Sequence, residues 1–145
     1  MILGTIDDET GRPYVQAWLY LPRLNVDGWV DLQVDTGADR TVIHPVDVFL
    51  LGVNYAQLNG DLMLDGLGGA TRNYVEPGFL VFPEENRGLL RVYAVEFVIP
   101  PASAHNATFS SLLGRDVIDR WDVRLSRTKR LVRFTVVSAD RTVRV

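Results

Sequence analysis

The 145-residue sequence contains no cysteine, which excludes a disulfide framework and any thiolate-ligated metal. Its two histidines, His44 and His105, lie far apart without a ligand-like spacing, so neither a metal centre nor a cofactor is expected. Long apolar runs are also lacking. The opening stretch MILGTIDDETGRP turns acidic after a few residues, matching neither a secretory signal nor a membrane span. A cytoplasmic protein with no membrane partner is the expectation. Excess positive charge is missing as well. Fifteen basic residues stand against 18 acidic ones, giving a net charge of -3 with no basic stripe, so no nucleic-acid partner is expected. Fourteen of the fifteen are arginine, a usage to which no mechanism attaches. There is no internal repeat, low-complexity tract or linker. Hydrophobic residues make up 47% and charged residues 23%, as in ordinary globular chains. One domain over residues 1–145 is expected, with a real core but no room for two lobes.

The dominant period is two. YVQAWLYL (14–21) and WVDLQVD (29–35) alternate or nearly so and read as antiparallel strands, turning through Pro22, Asn25 and Asp27-Gly28. A short strand TVI (41–43) precedes HPVDVFLLG, where Pro45 opens and Gly52 stops one short helix. LMLDGLGGATRNYV, GFLVF and LLRVYAVEFVI read as strands divided by glycine-rich turns and the loop PEENRG. After the polar connection PPASAHNATFSS, the residues following Gly114 suit one or two helical turns. The C-terminal stretch reads as further strands joined by a basic turn at 127–130. The fold class is mainly β, a barrel or a sandwich with one or two short helices.

The segment VDTGADRT (34–41) ends the second strand with a carboxylate, a hydroxyl and a residue lacking a side chain. Asp35 at a strand end can leave the sheet while its backbone stays fixed. Thr36 both donates and accepts, and Gly37 allows close backbone approach or a positive φ. The result is a preorganised carboxylate. By itself the tripeptide equally suits a plain turn.

Two further segments decide between these. DGLGGA (65–70) is a glycine-rich hairpin tip, and LLGRD (112–116) joins two apolar residues to a glycine. In this order and spacing the three motifs resemble those of the retroviral-type, retropepsin-like aspartic proteases, over about Tyr14 to Arg133. The resemblance implies a closed-barrel acid-protease fold acting as a symmetric homodimer. It makes Asp35 the catalytic residue and Thr36, Gly37, Ala38, Asp39 and Arg115 the support of its loop. Thr36 would tie the subunits together, Gly37 would contact substrate backbone, and Asp39 and Arg115 would form an ion pair. Were that pair buried, losing one partner would cost roughly 3 to 5 kcal/mol. Gly66, Leu67, Gly68 and Gly69 would form a flap over substrate, and Leu112, Leu113 and Gly114 the apolar support. The sequence departs from viral members in its extra residues between helix and flap and before Leu112. It also continues well past the short helix, where viral members end in a brief interface strand.

Hydrolysing a peptide without metal or nucleophilic side chain needs a base for water and an acid for the carbonyl or amine, and two carboxylates sharing a proton supply both. No second Asp-Thr-Gly or Asp-Ser-Gly occurs, so the expected enzyme is an aspartic endopeptidase whose paired Asp35 residues come from two copies. Extended polypeptides would be its substrates, and Leu32, Val34, Val42, Leu67 and Leu112 would favour hydrophobic side chains at the cleaved bond. A catalytically silent peptide-binding or dimerisation module of the same fold is the alternative. A monomeric ligand-binding barrel with an accidental turn is a third. His44 is expected to cap the helix or lie at the surface, and Trp18, Trp29 and Trp121 to fill core or interface.

Overall fold

The computed structural model describes residues 1–59, 61–66, 69–85 and 88–145, with 61–66 and 69–71 described by their backbone alone. Strands β1 (Ile2–Leu3), β2 (Thr5–Ile6), β3 (Pro13–Leu21) and β4 (Val26–Val34) precede helix α1 (Pro45–Leu51). Then come β5 (Asp61–Gly66), β6 (Gly69–Pro83), β7 (Leu89–Ile99), β8 (Leu112–Leu113), the one-turn helix α2 (Arg115–Ile118), β9 (Trp121–Ser126), β10 (Leu131–Val136) and β11 (Arg141–Arg144).

Alternation sets β3 and β4 against each other. Val15, Ala17, Leu19 and Leu21 of one strand and Val30, Leu32 and Val34 of the other point into the core, which is what a period of two produces on a half-buried sheet. The turn between them is tighter than its composition suggested. Asp27 and Gly28 lie inside β4, paired with Tyr20 and Leu19. Reversal is done by a 3-10 turn at Pro22–Leu24 and by Asn25 at φ 51°, because proline fixes the entry and asparagine tolerates the left-handed region. Helix α1 follows its signals, with Pro45 in its first turn and Gly52 closing it at φ 79°.

GFLVF is not a separate strand. β6 runs 15 residues, straight through Pro77-Gly78. On one side it pairs with β7 from Tyr74 to Pro83. On the other it pairs with β5 up to Tyr74 and with β3 only from Phe79, so the missing N–H of Pro77 falls in the gap between partners, where it disturbs no ladder. At Gly78 a Cβ would sit 2.5 Å from the Tyr20 carbonyl oxygen; glycine is what lets the two strands close there.

The strands form a three-stranded sheet, β1-β10-β9, and an eight-stranded sheet whose main path is β11-β7-β6-β3-β4-β8. That corrects the closed barrel: among the described residues the larger sheet is open, since β8 and β7 share no strand ladder. Only Val42 spans the gap, through isolated bridges to Val98 and Leu112, and 41–43 is too short to make a strand of its own. Trp121 is buried against Phe82, Tyr93 and Phe134 and donates through Nε1 to the Tyr93 hydroxyl at 2.7 Å, joining the two sheets. Trp18 and Trp29 instead meet edge to face on the outer surface, Trp29 exposed. No helix among the described residues is long and apolar enough to cross a membrane.

Glu76 on β6 is fully buried and is held by Arg23 of the 3-10 turn, whose Nε lies 3.0 Å from Oε2 and whose Nη2 also reaches the Gln57 carbonyl. Removing the guanidinium strands a buried carboxylate. Arg23→Ala is therefore expected to lower the unfolding free energy by about 3 kcal/mol in urea titrations, and a loss below about 1 kcal/mol would mean that the pair behaves like an exposed one.

Candidate active site

Asp35 is the first residue past β4 and is half-buried. Its N–H donates to the Leu113 carbonyl at 3.1 Å, extending the parallel pairing of Gln33 and Val34 with Leu112 and Leu113. Its Oδ1 accepts from the Gly37 N–H at 2.9 Å and its carbonyl from the Ala38 N–H at 3.2 Å. Backbone and carboxylate are thus both held. A Cβ on Gly37 would come within 3.2 Å of Oδ1, so the glycine serves close approach; its φ is not positive. Thr36 and Asp39 are exposed and Ala38 half-buried.

What fixes this loop is the last residue of the VDTGADRT segment, to which the sequence assigned no role. Thr41 is fully buried, and its N–H and hydroxyl donate to the two carboxylate oxygens of Asp116 at 2.9 and 2.8 Å. The same hydroxyl accepts from the Gly114 N–H at 3.2 Å, and the Arg115 N–H donates to the Ala38 carbonyl at 2.8 Å. At Gly114 a Cβ would stand 2.4 Å from the carbonyl carbon of Arg40, so only glycine allows the two segments to touch. Thr41 and Asp116 are the last residues of VDTGADRT and LLGRD; a hydroxyl and an acid closing two glycine-containing segments were the signal available. Arg115 Nη2 does meet an Asp39 carboxylate oxygen. With side chains 49% and 78% exposed, however, that pair lies in water, where such pairs contribute little.

Leu112 is half-exposed and Leu113 fully buried. Leu32 and Val34 are buried in the core and cannot line a cleft, because strand alternation turns them inward while Gln33 and Asp35 take the other face. Gly66 pairs with Gly69 at the end of the β5–β6 hairpin; Leu67 and Gly68 lie outside the described residues. A cavity of about 350 Å³ is lined by Gln33 of β4 and Leu112 of β8 together with Arg12, His44, Phe109 and Ser110. His44 is buried rather than at the surface, and its side chain does not cap α1. Its Nδ1 lies 2.7 Å from the Ser110 carbonyl, an acceptor only, so Nδ1 carries hydrogen. Its N–H donates to Ser111 Oγ at 3.0 Å, and that hydroxyl donates to Asp47 Oδ2 at 2.5 Å.

Two measurements follow from this geometry. Asp116→Ala leaves the buried donors of Thr41 unpaired and is expected to cost about 3 kcal/mol, whereas Asp39→Ala should change stability by less than about 1 kcal/mol; urea unfolding of both variants compares them directly. Burial holds the His44 imidazole below its ordinary value of 6.5, against the opposing effects of the Ser110 carbonyl and Asp47. The unfolded chain then binds the proton more readily, so the contribution is whole above about pH 6.5 and is lost as pH falls through the lower, folded value. Thermal unfolding between pH 8 and 5 should show that decline, and His44→Gln should flatten it.

Comparisons with known proteins bear on the family and the fold of the chain. The family described as retroviral aspartyl protease matches residues 22–126, which include Asp35, the β5–β6 hairpin and Gly114. A solved retropepsin-like aspartic protease from Rickettsia conorii is similar in fold, with a TM-score of 0.56 at 18% identity, covering 91% of this chain and 97% of its own. EIAV protease complexed with the inhibitor HBY-793 aligns at a TM-score of 0.48 and 16% identity, over 78% of this chain and 90% of its own. No curated protein matches the sequence. With more than two thirds of its length matched, and with the mainly β, two-helix architecture of the retropepsin-like fold, the chain belongs to the retroviral aspartyl protease family.

Proposed function

We propose that this chain is one half of an aspartic endopeptidase, in which two copies bring their Asp35 carboxylates together and hydrolyse peptide bonds in extended polypeptides. The observation that carries this reading is the held carboxylate: its backbone fixed on Leu113, Oδ1 tied to Gly37, and Oδ2 without a hydrogen bond among the described residues. The sequence supplies a single Asp-Thr-Gly, so the second acid comes from a twofold-related copy. The exposed Thr36 beside it suits a contact between copies. The β5–β6 hairpin, ending on Gly66 and Gly69, supports a flap that closes over an extended peptide.

Two close carboxylates do not both ionise readily, so the pair works with one shared proton. The ionised member takes a proton from water, whose oxygen attacks the peptide carbon, while the protonated member gives its proton to the carbonyl oxygen. Collapse of the diol passes the first proton to the leaving amine and returns the second to the pair. No metal or cofactor enters these steps.

Asp35→Asn should reduce cleavage of a peptide library by about 10³-fold or more, and cleavage unaltered by the change would end the mechanism. Sedimentation should show a dimer at the concentrations that cleave. A dimer that binds peptides but cuts none at any pH would be the silent module. Ala38 has no hydroxyl to give the acid; Ala38→Ser adds a donor that favours the charged form, so the acidic limb of the pH–activity profile should move to lower pH. An unmoved or upward-moved limb counts against the shared-proton account.

A further inference from the structure

The outer face of the eight-stranded sheet departs from the usual alternation. A solvated face of an antiparallel sheet carries polar residues, yet two registered rows across this one are largely apolar. The first runs Trp29, Trp18, Val81 and Val92 through directly paired positions, and the second runs Asp27, Tyr20, Phe79 and Ala94. Trp29, Tyr20 and Phe79 stay exposed. A cavity of about 600 Å³ lies over these rows, floored by Trp18, Tyr20, Phe79, Val81 and Val92, a size and an apolar lining suited to a small ligand. Tyr20 and Phe79 stack with centroids 6.4 Å apart and planes 22° apart, and Trp18 meets Trp29 edge to face at 5.2 Å. Strand pairing and ring contact thus hold this surface in shape before any ligand arrives.

One charge interrupts the second row. Asp27, directly opposite Tyr20, lines the cavity, and its carboxylate has no hydrogen bond or ion pair among the described residues. Asp140, the other acid of the cavity, is committed to the Ala94 N–H at 2.7 Å and to Arg120 at 2.8 Å. Arg141 lines the opposite rim, on a strand four places from that of Asp27, so a cation is drawn to the Asp27 end and repelled at the other. Asp27 stands at the far end of β4, about 26 Å along the strand from Asp35. The second copy called for by the protease reading is needed at Asp35, and the present site does not rest on that reading. A carboxylate beside aromatic rings, at one end of an apolar floor, suits an organic cation: the charge meets the acid and the electron-rich ring faces while the body covers the floor.

We infer that this cavity binds a small elongated organic cation, an apolar or aromatic body ending in a protonated amine, with Asp27 as the residue that selects the charge.

The test uses the full-length protein with nitrogen-labelled indoles, whose three tryptophans report separately: Trp18 and Trp29 at the site, Trp121 buried between the sheets. Phenylbutylamine, its neutral counterpart phenylbutanol and the anion phenylbutyrate are titrated in turn. The amine should move the Trp18 and Trp29 N–H signals saturably, leave Trp121 in place, and bind about fivefold or more tightly than the alcohol. Asp27→Asn should bring amine and alcohol to the same affinity. Asp31→Asn, at the acid on the other side of Trp29, should leave the preference intact, and Tyr20→Ser should weaken amine and alcohol alike. All three side chains are exposed, and an unchanged Trp121 signal verifies that each variant keeps the fold. No saturable response, equal binding of amine and alcohol, phenylbutyrate binding as tightly as the amine, a preference that survives Asp27→Asn, or an equal loss on Asp31→Asn overturns the inference.

Discussion

The bidentate grip of Asp116 on Thr41 is the contact on which the rest of the candidate site depends. Through it one carboxylate satisfies two buried donors of one loop residue, and the Gly114 N–H completes the hydroxyl. Take the grip away and the segment from Asp35 to Thr41 keeps Leu113, Arg115, the Gly114 N–H and an ion pair in water as its ties to the segment that follows Ser111. Charge-assisted hydrogen bonds to buried donors hold geometry more firmly than solvent-exposed ion pairs do. The structure therefore assigns positioning to Thr41 and Asp116 rather than to Asp39 and Arg115, although the latter do meet as the motif match implied.

How much of this was legible follows from what each residue signals locally. β3 and β4 announce themselves because one face of each is buried and alternation is the direct imprint of that. α1 is legible because proline and glycine act on their own backbone. β6 was split in the reading because Pro77-Gly78 is a turn signal everywhere except where a strand changes partners, and that change is a tertiary fact. The barrel failed to close for a similar reason: closure depends on whether 41–43 pairs along a ladder or through one residue, which no local pattern encodes. Asp35 to Ala38 were found by motif. Thr41 and Asp116, 75 positions apart, meet only in space.

The same limit applies to the cavity at Gln33 and Leu112. Leucine and valine flanking a catalytic-looking aspartate suggest an apolar cleft, yet in a strand the neighbours at odd spacing face the core and those at even spacing face the substrate side. Gln33 was therefore the informative neighbour. Arg12 and His44 reach the same space from a turn and from the start of a helix, and only the fold brings them together. The polar Gln33 and the held carboxylate are consequences of one face of one strand, β4.

Val42 has a further consequence. The loop that starts at Asp35 and ends at Val42 is fastened to Leu113 at one end and to Leu112 at the other, so both ends of an eight-residue span are tethered to adjacent units of one two-residue strand. Such a closed circuit has no slack. Gaining or losing a single residue within it has nowhere to be absorbed, whereas the long polar connection between Pro100 and Ser110 could drift in length through evolution with the carboxylate left where it is.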